Sequence, residues 1–352
     1  MQAQVDLETV LALGVDLGHK SAVRALRPGN MPKEQTVNIP QPTPELLGVF
    51  LILALHLCAV YTGLGAFPLA WLSETLSATS KKVFLKKLGQ QLSALGILFL
   101  AYTLVSVGGS FAVMQATYPE LIRPWLDQPL LIVPMLTALG WFVLFGLLYA
   151  FTWRAAKNQP GLHRALGLLA TLGVPAVLGM SLCMKLALYT ELPQIAPTME
   201  LGPMLSAGLG HPLFAPLVLS SLLLALCCGS GFGLVYLLTR RKRDDFGRDY
   251  YTFAARFAAN IAALCTVSAL ASQAWIAALM LPTLLAEAGP SLLGWLTAGG
   301  AGCALAASIT WAMIARSENP LRHKPAILLA ALLLFLTVAG FSAVNASVFI
   351  SF

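Results

Sequence analysis

Long apolar runs separated by short polar connections dominate the chain. A helix that crosses a bilayer needs about 20 apolar residues, because each residue rises about 1.5 Å and the hydrocarbon core is about 30 Å thick. The runs are too long and too evenly apolar for barrel strands, which alternate over about 10 residues. The pattern predicts an all-α polytopic membrane protein with eight transmembrane helices: Leu46–Leu72, Leu92–Met114, Leu130–Trp153, Ala165–Leu188, Leu213–Leu238, Phe257–Leu281, Leu292–Ile314 and Ile327–Ile350.

The composition narrows the class further. Of the 352 residues, 58% are hydrophobic and 11% charged, and the mean hydropathy is +0.77. A soluble domain has about 25% charged residues. Soluble enzymes, nucleic-acid-binding proteins and disordered scaffolds are therefore excluded.

The basic residues predict the orientation of the spans. Most Lys and Arg lie in the first, third, fifth and seventh connections, and the positive-inside rule places such connections in the cytoplasm. Both termini are then expected outside, and the net charge of +7 is an orientation signal. The residues that carry it are Lys81, Lys82, Lys86, Lys87, Arg154, Lys157, Arg164, Arg240, Arg241, Lys242, Arg243, Arg248, Arg256, Arg316, Arg322 and Lys324.

The layout of the connections suggests two four-helix halves. The first and fifth spans each lead through a basic stretch into the next span, at Ser77–Gln91 and Thr239–Arg256. Because this likeness is one of layout, the repeat is an expectation of architecture only. The predicted units are an external N-terminal tail or strap (1–45), a first half (46–189), an external connection (190–212) and a second half (213–352).

Several kinds of chemistry have no sequence signal. The six cysteines lie in apolar spans and form no CxxC or CxxCH motif, so covalent c-type haem, structural zinc and four-cysteine iron–sulfur ligation are not expected. Soluble catalytic motifs such as a P-loop, a dinucleotide fingerprint or HExxH are also absent from the sequence.

His56 is the most informative polar residue inside a span. It lies on the first helix between Leu55 and Leu57. A neutral imidazole at this depth can ligate haem iron through one nitrogen while the other binds a carbonyl. A hydrogen bond between two helices explains it equally well.

Other polar or soft side chains fall at a similar depth, in the outer halves of the spans. Met180, Met184 and Lys185 lie on the fourth span and His211 lies at the entrance of the fifth, so His56 could share a pocket with one of them. Methionine, however, commonly packs between helices, and the side chain of a lysine at this depth can extend to the membrane–water interface. Gln273, Trp275 and Asn345 are predicted in the outer half as well.

Three titratable residues are expected near the cytoplasmic edge. His163 and His323 adjoin Arg164 and Lys324, which indicates surface positions. Glu74 follows the first span, near Lys81 and Lys82 in the sequence. It needs no special role there, although it could also serve a proton path.

From Leu53 to Gly109 the chain resembles the start of subunit I of the cytochrome bd quinol oxidases. In that family a His is followed nine residues later by Gly and eighteen residues later by Glu, before a Lys-rich turn and a second helix. The matching residues here are His56, Gly65, Glu74, Lys81, Lys82 and Lys86, with Leu88-Gly89 opening the next helix. The resemblance implies that His56 is an axial ligand of a haem b near the outer face.

The chain also departs from that family pattern. The further His and Met haem ligands of that family have no matching motif in this chain. Met180, Met184, His211 and Lys185 are candidate ligands only because they are predicted at a depth in the membrane similar to that of His56. Spans two and three contain no carboxylate for oxygen chemistry, and the long external quinol-binding loop is missing.

These departures favour a reduced relative that is not an oxidase by itself. The expected function is a haem b-type electron-transfer subunit of a larger membrane complex, passing electrons between quinone or quinol and an external partner such as a c-type cytochrome. The resemblance implies the cytoplasmic membrane of a bacterium, with both termini on the periplasmic side. A haem-less membrane anchor of a respiratory complex and a small-solute transporter stay open as alternatives.

Overall fold

A computed structural model describes residues 44–117, 129–155, 158–195, 200–244, 246–286 and 292–347, together with the single positions Pro119 and Leu126. Within these ranges the chain folds into α-helices, one short 3₁₀ turn and connecting turns. The predicted strap (1–45) lies almost wholly outside the described residues. The helices are α1 Pro44–Ser80, α2 Val83–Thr117, α3 Pro129–Phe151, α4 Pro160–Ile195, α5 Leu201–Gly210, α6 Phe214–Arg240, α7 Arg248–Ala286, α8 Leu292–Arg316 and α9 Lys324–Ser347.

All the helices except α5 are long and apolar enough to cross a membrane, which confirms the prediction of eight spans. Several extend beyond the predicted apolar runs. The 37 residues of α1 span about 55 Å, well beyond the 30 Å hydrocarbon core. Its last two turns therefore project from that core, and the predicted Lys-rich connection shrinks to the turn Lys81–Lys82, where Lys81 has a left-handed φ of 55°.

The basic connections meet at one end of the bundle, which we call the basic end. Gln91 on α2 donates a hydrogen bond to Asp244 in the α6–α7 connection, with Nε2 and Oδ2 3.2 Å apart. The Arg256 guanidinium on α7 donates to the carbonyl of Ser317 after α8, over 3.0 Å. The structure thus confirms that these connections share one end, as the charge pattern predicted.

Two glycines bring α1 and α6 into backbone contact at the centre of the bundle. A Cβ atom on Gly65 would lie 1.8 Å from the carbonyl oxygen of Ala225, and a Cβ on Gly229 would lie 2.7 Å from the carbonyl carbon of Gly65. Only the absence of a side chain permits this approach. Helix α1 also contacts α2, α4 and α9, so this pair forms the axis around which the other helices pack.

The ring of Phe67 lies between α2 and α3. This residue of α1 is fully buried, and its ring faces Gly96 of α2 and Gly146 of α3, where a Cβ would come within 2.9 and 3.2 Å of ring atoms. Residues of α2 and of the end of α3 line a groove on the surface of the bundle, near the basic end. The division into two four-helix halves stays a prediction.

Candidate functional sites

The structure places His56 on the surface of the bundle, in the half of α1 away from the basic end. Its side chain is half-buried, and its ring lies 6.3 Å from the ring of Tyr102 on α2. The neighbouring Leu55 is 60% exposed. Within the described residues the imidazole makes no hydrogen bond or ion pair, so its nitrogens are available to a ligand or to another subunit.

The methionines predicted beside His56 pack elsewhere. Met184 is fully buried on α4 and forms an apolar cluster with Met204 of α5. Met180 and Met135 pack against the same cluster, to which α1 contributes no described residue. The expectation that one of these methionines shares a pocket with His56 stays a prediction.

Lys185 and His211 lie on other elements than His56. Lys185 is partly buried on α4, next to Met184. His211 precedes α6, and its Nδ1 accepts a hydrogen bond from the backbone N–H of Leu213 over 3.2 Å. Helix α4 contacts α1, and the role of both residues as ligands stays a prediction.

The described residues fit a haem only in part. His56 offers one imidazole without a protein partner, which suits a single axial ligand. No described group of three or more His, Cys, Asp or Glu is placed to hold a metal ion. The described residues thus offer one axial ligand, and a second ligand from Met180, Met184, Lys185 or His211 stays a prediction.

A buried ionisable pair lies at the basic end, between α1 and α4. His163 Nδ1 and Glu74 Oε1 are 2.8 Å apart, and the two residues are only 2% and 6% exposed. The prediction that His163 is a surface residue is therefore wrong, whereas His323 is exposed as predicted. Spacing carried a signal for His163, because it falls on the same helical face as the buried Gly167, Ala170 and Val174.

Aromatic rings enclose the imidazole of His163. The ring centres of Tyr149 and Trp153 lie 4.6 and 4.5 Å from it. Two glycines make room for these rings, since a Cβ on Gly167 would come 2.8 Å from the Tyr149 ring and a Cβ on Gly89 3.3 Å from the Trp153 ring. Four helix ends therefore build one closed site from residues far apart in the sequence.

The hydrogen bonds of His163 hold its ring on both sides. Its Nε2 lies 3.0 Å from the backbone oxygen of Tyr149, and because a carbonyl only accepts, Nε2 is the donor in that bond. Nδ1 and Glu74 Oε1 form the other hydrogen bond of the ring, over 2.8 Å. Glu74 Oε2 and the Tyr149 hydroxyl are buried without a hydrogen-bond partner in the described structure.

A small cleft of about 230 Å³ reaches His163 from the basic end. Its wall combines Thr152, Asn158 and Gln159 with the apolar Leu162 and Leu166. The buried pair therefore lies next to a polar opening, an arrangement that suits proton exchange with the surrounding water.

The polar residues predicted in the outer half form an interhelical contact. Gln273 Nε2 on α7 donates to Ser220 Oγ on α6 over 2.7 Å and to Asn345 Oδ1 on α9 over 3.3 Å. These bonds join three helices where lipid could not satisfy the groups. Trp275 instead is 46% exposed.

No family model matches the sequence, and no curated protein matches it. Among solved structures, the chain is similar to the bd oxidase from Geobacillus thermodenitrificans, with a TM-score of 0.66, 12% sequence identity and 85% coverage of each chain. The chain has the bd oxidase fold. The resemblance first noted over Leu53–Gly109 is thus confirmed as a likeness of fold, and it extends over most of the chain.

The bd oxidase fold assigns the chain to a coarse class. It is a multi-pass helical membrane protein with the bd oxidase fold. At 12% identity the likeness carries no ligand or residue role with it. The functions of His56 and of the Glu74–His163 pair have to be argued from this chain.

Proposed function

We propose that this chain is a membrane electron-transfer subunit of a respiratory complex that exchanges electrons with the quinone pool. The observation that carries the proposal is the bd oxidase fold combined with His56, whose imidazole makes no hydrogen bond or ion pair within the described residues and lies in the half of α1 away from the basic end. An uncompensated polar group on a lipid-facing surface is costly, so a ligand or a neighbouring subunit is expected to satisfy it.

His56 is the residue that would hold a haem b, as an axial ligand. Bound there, the haem would supply reversible one-electron transfer. The chain contributes the imidazole on α1 and the Tyr102 ring on α2. Because His56 lies at the surface, the rest of the pocket and any second ligand would come from another subunit.

The remaining assignments complete the proposal. Quinone or quinol is the membrane substrate, and an external redox protein such as a c-type cytochrome is the partner on the far side from the basic end. The positive-inside rule then places the basic end in the cytoplasm of a bacterium and both termini in the periplasm. Other subunits of the complex cover the exposed surface around His56.

A reduced-minus-oxidised absorption spectrum of the purified complex tests the haem. We expect a Soret and α-band pair in the wild type that is lost or shifted in His56→Ala, because the axial ligand is removed. His323→Ala is the matched control, since this histidine is exposed at the basic end, and its spectrum should equal that of the wild type.

A haem-less membrane anchor is the second candidate. Two observations favour it. Met180 and Met184 pack in a cluster that contains no described residue of α1, and α1 is in close backbone contact with α6. A flat spectrum in a folded and fully assembled preparation would reject the haem proposal in favour of the anchor. Bands that are identical in His56→Ala and the wild type would also reject His56 as the ligand.

A further inference from the structure

The groove between α2 and α3 has the features of a binding site for an anionic phospholipid. We propose that it holds the phosphate head group at the basic end and one acyl chain along the helices. The groove has a volume of about 520 Å³. Its wall consists of Gln90, Ser93, Ala94 and Ile97 on α2 and of Ala150, Phe151, Trp153 and Arg154 at the end of α3.

The groove has a defined base. Trp153 is buried there and donates a hydrogen bond from Nε1 to Ser93 Oγ over 2.7 Å, and Ser93 is buried as well. Alanines 94 and 150 leave width between the two helices. A buried contact therefore fixes the base of the groove, whereas Phe151 and Arg154 line its exposed rim.

Its polar end carries positive charge without a counter-ion. Arg154 is exposed at the mouth, and Lys86 lies one turn before Gln90 on the same face of α2, also exposed. Within the described residues neither cation has an acidic partner. Two carboxylates at the basic end already have other partners: Glu74 pairs with His163, and Asp244 pairs with Arg240. An anion is therefore the complementary occupant.

The remaining wall is apolar and runs toward the membrane interior. Phe151 is 72% exposed and faces the groove together with Ile97. Two cations at the interface followed by an apolar channel match a phosphate group with an attached acyl chain. A quinone head group is neutral, so it would leave Lys86 and Arg154 without a counter-ion.

The purified full-length chain, stripped of lipid in detergent, provides the test. Binding of phosphatidylglycerol and of phosphatidylcholine with the same acyl chains is measured by native mass spectrometry. Each cation near the interface contributes about five-fold in affinity for an anionic lipid, so we expect about 25-fold tighter binding of phosphatidylglycerol. Arg154→Gln and Lys86→Gln should each remove about five-fold of that preference.

Two further variants separate the parts of the site. Ala94→Phe fills the groove without changing its charge and should weaken both lipids, because the acyl chain loses its place. Arg322→Gln is the matched control, since it removes an exposed cation at the basic end on the far side, between α8 and α9. It should bind phosphatidylglycerol like the wild type.

Three results would overturn the lipid site. They are equal binding of the two lipids, equal loss in Arg322→Gln and Arg154→Gln, and retention of a quinone in the groove in place of a phospholipid. Full competition by inorganic phosphate at low concentration would indicate a phosphate site without the acyl chain and would reject the proposal as well. The test is independent of the haem, so its failure leaves the proposed function unaffected.

Discussion

Gly65→Ala is expected to cause the largest loss of stability of any glycine-to-alanine substitution among the described residues. The added Cβ would lie 1.8 Å from the carbonyl oxygen of Ala225, and the atom it meets belongs to the backbone of α6. Because no side chain can rotate away, α1 and α6 must separate along their whole contact. Overpacking of this kind costs about 3 kcal/mol or more, and we expect a much lower melting temperature in detergent.

Gly109→Ala is the matched control for this prediction. A Cβ on Gly109 of α2 meets nothing within 4 Å. In a helix interior alanine is about 1 kcal/mol more favourable than glycine, so this variant should melt at the wild-type temperature or slightly above it. Equal melting temperatures for Gly65→Ala and Gly109→Ala would contradict the contact of α1 with α6.

Removing one member of the buried Glu74–His163 pair is expected to have the second largest effect. In Glu74→Ala the His163 imidazole keeps its bond to the Tyr149 carbonyl but loses its carboxylate partner in a site only 2% exposed. Breaking a buried pair from one side costs about 3–5 kcal/mol. Glu74→Gln should lose less, because its amide N–H can donate a hydrogen bond to Nδ1 while Nε2 still donates to the Tyr149 carbonyl.

Two further variants distinguish a pair effect from a packing effect. In the double variant Glu74→Leu/His163→Leu neither member of the pair stays buried without the other, so its loss should be clearly smaller than the sum of the two single losses. Arg240→Gln removes a partly exposed ion pair with Asp244 and should cost about 0–1 kcal/mol. Strict additivity of the two leucine substitutions in thermal melting would rule out the coupling.

The membrane architecture could be predicted because one strong physical term dominates it. Transfer of about 20 apolar residues into hydrocarbon outweighs local preferences, so the eight spans follow from hydropathy alone. The same term places charged residues between the spans, which is why the shared basic end was predicted correctly. The helix ends were placed less well, since α1 continues to Ser80 beyond the apolar run.

The candidate sites could be predicted from the sequence less well than the spans. The residue number gives the depth of a side chain along its span, and His56 and the methionines lie on the predicted helices. Which face of a helix meets which neighbour depends on how the helices pack, so Met184 faces α5 while His56 lies near Tyr102. His163 was wrongly predicted at the surface because it adjoins the charged Arg164. The spacing of small residues along α4 instead indicated a buried face.

The sequence by itself thus determined the number of spans, the common end of the basic connections and the resemblance to a bd oxidase over Leu53–Gly109. Only the tertiary structure decided that Glu74 and His163 form one buried pair and that α2 and the end of α3 line one groove. The physical reason is the difference in the distance along the chain over which the two effects act. Hydropathy acts residue by residue along the chain, whereas a buried ion pair needs close approach of helices brought together by contacts elsewhere, such as that of Gly65 with Ala225.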